Sequence, residues 1–118
     1  MKAFPETGEL KFLLGLTVRN AILQPYSIDF TFDDGTFLIV EEGLEHVYED
    51  GRSYWLNPQE EYGPVDLHRI VNRQIVSLER EPFMLTLTFD NGHMMRIIST
   101  PGIYESGHFS RQGDVVVF

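Results

Sequence analysis

The chain has 118 residues, 42% hydrophobic and 13% aromatic, enough for one packed domain and too apolar for a disordered chain. No apolar run approaches the ~20 residues that cross a membrane, and residues 1–6 carry no apolar core of a signal peptide, so neither insertion nor export is expected. The absence of cysteine removes disulfides, thiolate metal sites and a cysteine nucleophile, making the cytoplasm the expected compartment, while 18 acidic against 9 basic residues leave a net charge of −9.

In chain order, residues 10–14 (Leu-Lys-Phe-Leu-Leu) read as a single helical turn closed by Gly15, a residue that accepts the left-handed conformation ending such a turn. A strand is expected over residues 17–23, and Pro25 fits the turn that follows it. Then Ile28, Phe30 and Phe32 alternate with Asp29, Thr31 and Asp33, the period of two of a half-buried antiparallel strand. Asp33-Asp34-Gly35 closes a hairpin whose return strand carries Leu38 and Val40.

The same series then recurs. Thr31-Phe32-Asp33-Asp34-Gly35 returns 57 residues later as Thr88-Phe89-Asp90-Asn91-Gly92, and at that spacing Leu10 falls on Leu67, Gly15 on Asn72, Pro25 on Pro82 and Val40 on Ile97. Val47-Tyr48-Glu49-Asp50-Gly51 returns as Ile103-Tyr104-Glu105-Ser106-Gly107, one residue closer. The chain therefore reads as a tandem duplication, with repeats at 10–56 and 67–113 joined by the polar stretch 57–66. The expected fold is mainly β: two pseudo-symmetric antiparallel repeats, about six to eight strands in all, with short helical turns.

Charge decides the hairpin loop length. A two-residue Asn91-Gly92 loop turns Arg96 onto the core face, whereas a three-residue loop with Gly92 left-handed turns Met95 and Ile97 inward and Arg96 outward. The second register is expected in both copies, burying Phe30, Phe32, Leu38, Val40, Leu85, Leu87, Phe89, Met95 and Ile97. It sends Phe37 and Ile39 to the opposite face, where Tyr54, Trp55 and the 57–66 stretch are expected to cover them, or else a partner does. A homodimer through the Phe37 and Ile39 face is one such partner.

Catalytic chemistry finds little purchase. His46, His68, His93 and His108 show no zinc-site spacing, and His93 and His108, each after a glycine, read as exposed turn residues. Asp33, Asp34 and Asp90 fit hairpin turns rather than a calcium loop. The serines lack a nucleophile elbow, and no glycine-rich phosphate loop exists. Catalytic residues, metal ligands and cofactors are accordingly all expected to be none. Glu49 and Glu105, at matching repeat positions, remain candidates for paired acid–base work.

The combination of Leu13-Leu14-Gly15-Leu16-Thr17-Val18, Phe32-Asp33-Asp34-Gly35 and Tyr104-Glu105-Ser106 resembles a family of small bacterial proteins of unassigned function, some of whose members accompany polymorphic toxins as suspected immunity proteins. The resemblance covers about residues 10–107. It departs at Gly107 and His108, where an aromatic is usual. It implies a protein-binding role and brings no catalytic residues.

Charge localisation points the same way. Residues 28–66 hold eleven acids against Arg52 alone, whereas residues 67–118 hold five of each sign. Nucleic acid, which needs Lys and Arg against phosphate, is a poor partner; a basic protein is a better one. The leading reading is an immunity or inhibitor protein that meets a basic partner, a toxin for example, through Asp29, Asp33, Asp34, Glu41, Glu42, Glu45, Glu49 and Asp50, with Tyr48, Tyr54 and Trp55 as aromatic anchors. The alternative is a small-ligand or catalytic β-domain using a cleft between the repeats, with His93, Glu49 and Glu105 as its polar groups.

Overall fold

A computed structural model describes residues 3–101 and 105–118. One helical turn, α1 (Thr7–Leu10), leads into a 3-10 turn at Lys11–Leu13, and a second 3-10 turn spans Leu67–Ile70. The strands are β1 (Val18–Gln24), β2 (Ser27–Phe32), β3 (Phe37–Val40), β4 (Leu44–Val47), β5 (Ser53–Leu56), β6 (Ile75–Glu81), β7 (Met84–Phe89), β8 (Met94–Ile98), β9 (Gly107–Arg111) and β10 (Asp114–Val117). The described residues thus form ten strands, against about six to eight expected. The additional ones are the short hairpins β4–β5 and β9–β10, whose four or five residues give too little alternation to read.

The strands form two antiparallel five-stranded sheets, in the orders β1-β2-β3-β9-β10 and β5-β4-β8-β7-β6. Each sheet therefore joins three consecutive strands to a hairpin from elsewhere in the chain: β4 pairs with β8, and β9 pairs with β3. The register of β1 on β2 matches that of β6 on β7 at the 57-residue spacing, including an irregularity after Val18 and after Ile75. Backbone hydrogen bonds between the sheets are exchanged at the same spacing. The Gly15 amide donates to the Ile75 carbonyl (2.9 Å) and the Asn72 amide to the Val18 carbonyl (2.7 Å), while Ile75 donates to Leu16 (2.8 Å) and Val18 to Arg73 (3.0 Å).

Both Asp-Gly and Asn-Gly hairpins have the three-residue loop expected from charge. Gly35 and Gly92 stand at φ +87° and +86°, where a Cβ is strained, and Phe32 and Phe89 donate to the carbonyls of Thr36 and His93 at 2.9 Å. Leu87 consequently faces Met95 and Leu85 faces Ile97. All nine expected core residues are buried, in one cluster fed by the inward faces of both sheets. Arg96 points outward, its side chain 39% exposed, and donates to Glu45 at 3.2 Å.

Candidate protein-binding face and buried histidine network

Alternation along the strands and the pairing register together decide which side chains share a face. On the outward side of the β1-β2-β3-β9-β10 sheet, one row runs Ile22, Asp29, Ile39, His108, Val117, and the next runs Asn20, Thr31, Phe37, Ser110, Val115. Ile22 is 49% exposed, Phe37 48% and Val115 58%. The corresponding rows of the second sheet are Glu79, Thr86, Arg96, Glu45, Trp55 and Ser77, Thr88, Met94, Val47, Ser53. At the 57-residue spacing, then, Ile22 stands where the other sheet has Glu79, and Ile39 where it has Arg96.

The expected cover for Phe37 and Ile39 lies elsewhere. Tyr54 faces His46 from the inner side of β5, and Trp55 stands 55% exposed on the outward side of the other sheet. The 57–66 stretch packs along the β1–β2 turn, where the Tyr62 hydroxyl donates to the Gln24 carbonyl (2.7 Å) and the Tyr26 amide donates to the Pro58 carbonyl (3.0 Å). Backbone pairing with β9 satisfies the edge of β3 but leaves the face of Phe37 open.

The eight candidate carboxylates divide between the sheets. Asp29 lies in the apolar rows, where the Gln24 side-chain amide donates to it. Asp33 accepts from the Thr17 amide (3.2 Å), and Asp34 accepts from the Thr36 amide (2.9 Å) and faces Arg111 (3.7 Å). Glu41 and Glu42 follow β3, their amides held by the Ser106 carbonyl. Glu45, Glu49 and Asp50 belong to the β4–β5 hairpin of the second sheet and meet Arg96 (3.2 Å), His93 (2.6 Å) and Arg52 (2.7 Å). Tyr48 and Tyr54 accompany that second group.

Behind Glu49 runs a buried polar chain. His46 lies two residues after Leu44 on β4 and shares its inward face, so it sits beside Met95 and is wholly buried. Its Nε2 lies 2.9 Å from Nδ1 of His93, its Nδ1 lies 2.7 Å from the Tyr54 hydroxyl, and Nε2 of His93 meets the Glu49 carboxylate. An ionised carboxylate only accepts, so the His93 Nε2–H donates to Glu49; in the tautomer that leaves His93 Nδ1 without a hydrogen, His46 donates to it and accepts from Tyr54. The Asp66 amide completes the chain by donating to the Tyr54 oxygen (3.0 Å), and the Tyr48 hydroxyl donates to the Asp66 carboxylate. Burial, aided by the neighbouring His93, lowers the His46 pKa from 6.5 to about 4, so this imidazole is neutral at pH 7. Burial also pushes the Tyr54 hydroxyl up. At Asp66 burial works to raise the pKa, but the hydrogen bond from Tyr48 and the charge of Arg69 hold it below its ordinary value.

His93 is thus not an exposed turn residue; it is 3% exposed. The residue after the left-handed glycine is where the ladder resumes on the inner face, and Thr36, its counterpart, is buried as well. His46 was legible from its place two residues after Leu44. His108 sits within β9 on the outward face, its side chain 30% exposed. Of the alternative trio, Glu49 and His93 meet, whereas Glu105 lies with Glu41 and His108 at the first sheet, their ligand atoms within 4.8 Å of one another. Ile103 and Tyr104 of the second Tyr-Glu motif lie outside the described residues.

Among the described residues no helix is long and apolar enough to cross a membrane. No family model matches the chain, and neither a curated protein nor a solved structure matches it.

Proposed function

We propose that the chain is a non-enzymatic protein-binding domain of the cytoplasm, an immunity or inhibitor protein built from two pseudo-symmetric repeats. It receives a basic partner on the outward face of the β1-β2-β3-β9-β10 sheet. The observation that carries this reading is the exposure of Ile22, Phe37 and Val115 on one sheet face, where the other sheet presents mainly charged and polar side chains. Exposed apolar side chains set among polar ones on one sheet face fit the anatomy of a protein interface, where a few apolar anchors carry most of the energy. Asp33, Asp34, Glu41 and Glu42 stand beyond the strand ends and Asp29 stands between Ile22 and Ile39, so the face carries an acidic excess. The resemblance to the immunity-like bacterial family supports the same role. In this reading Phe37 and Ile22 are the anchors, while Tyr48 and Tyr54 serve the buried chain.

The test is the association rate with a candidate basic partner, such as a toxin encoded beside this gene, measured against ionic strength. Rim charges act on encounter more than on residence, and screening over ~8 Å at physiological salt makes their effect salt-dependent. Glu41→Lys/Glu42→Lys slows association and flattens the salt slope relative to the unmodified chain. Equal rates and equal slopes would reduce the acidic excess to a solubility feature. Sedimentation velocity distinguishes a second copy of the chain as the occupant: a dimer dissociated by Phe37→Ser would assign the face to self-association.

A further inference from the structure

On the inner side of the first sheet, away from the proposed partner face, the β9–β10 hairpin and the N-terminal helical turns leave a cavity of about 320 Å³. Phe12, Phe109 and Val116 form its apolar wall, with the Phe12 and Phe109 rings edge to face at 6.1 Å. Glu9, Arg111 and Asp114 stand at its mouth. Arg111 is already engaged: its guanidinium lies over the Phe12 ring at 5.2 Å and its Nε is 3.7 Å from Asp34. Glu9 and Asp114 have no ion-pair partner among the described residues. With Asp34 offsetting Arg111, the mouth is left with two uncompensated carboxylates over an aromatic wall.

Unpaired carboxylates over an apolar wall favour a cation with an apolar body, because the acids attract the charge while the wall removes the body from water. We propose that this cavity binds a small organic ammonium or amidinium bearing an apolar ring. An anionic ring compound would meet both carboxylates. The site stands apart from the protein-binding reading, since it uses the inward side chains Phe109 and Val116 rather than the outward ones.

The experiment is an amide-resolved NMR titration of the full chain with benzylamine, and with benzoate as the oppositely charged analogue. Benzylamine produces saturable shifts centred on Phe12, Phe109 and Val116 below about 20 mM, the range open to so small a ligand. Benzoate binds at least about tenfold more weakly. The double variant Glu9→Gln/Asp114→Asn, changed at two exposed positions, keeps its spectrum and binds benzylamine about fivefold more weakly. Absence of saturation, equal binding of benzoate, or unchanged affinity in the double variant would each overturn the proposal.

Discussion

Acidification to pH 5 should destabilise this protein through the buried side chain of His46. The unfolded chain's imidazole takes a proton near 6.5, whereas the folded one, wholly buried and facing His93, takes it only near a pKa of about 4. Between those values the unfolded state binds more protons, so stability falls as pH is lowered through that window. By linkage the loss between pH 7 and pH 5 is about 2 kcal/mol, a large share of a small domain's total. The carboxylates whose pKa values are held down, Asp34, Asp50 and Asp66, release their stabilisation only below about pH 4, where unfolded carboxyls protonate. Urea denaturation at pH 7 and pH 5 measures the loss, and His46→Gln isolates it. Glutamine keeps a donor toward His93 and an acceptor toward Tyr54 but does not titrate, so its slope over this window should be flatter by about the same 2 kcal/mol. A wild-type protein equally stable at both pH values, or a His46→Gln variant that keeps the full slope, would refute the buried neutral histidine.

Two further perturbations test the packing. Phe89→Ala removes a ring that is 1% exposed from the core cluster and should cost about 3–5 kcal/mol in the same denaturation assay; a loss below about 1 kcal/mol would contradict the single core. Gly107→Ala places a Cβ 2.3 Å from the Ile39 carbonyl oxygen and 2.5 Å from the Phe118 ring, so it should cost about 3 kcal/mol or more. Gly63→Ala, with nothing within 4 Å of its added carbon, should leave the midpoint unchanged.

Much of the fold was legible because its signals are local. The alternation through Ile28 to Phe32 and Leu85 to Phe89, the left-handed glycines after Asp34 and Asn91, and the charge of Arg96 together fix the strands, the loops and the inward face. The exchange of the β4–β5 and β9–β10 hairpins between sheets was not legible. Leu44-Glu45-His46-Val47 alternates correctly, but no local property says whether its edge pairs with β3 or with β8, since both edges present the same backbone groups. That exchange also explains why the acidic segment divides: Asp29 and Asp34 stay with the first sheet, while Glu45, Glu49 and Asp50 travel with β4–β5 to the second. The contact of His46 with His93 follows from the same crossing and depends on residues 47 apart in sequence. The open face at Phe37 and Ile39 was foreseen from the register, and only its expected cover was misplaced.

On the proposed reading the exposed apolar side chains of the first sheet, rather than those of the second, form the binding surface. This is tested most directly by comparing the affinity of one basic partner for Ile22→Ser/Phe37→Ser and for Trp55→Ser, a substitution at the exposed aromatic of the other sheet. Truncating an anchor typically costs 2 kcal/mol or more, so the double variant should bind at least about thirtyfold more weakly, and Trp55→Ser should stay within about threefold of the unmodified chain. The reverse order, with Trp55→Ser losing binding and the double variant keeping it, would contradict the account.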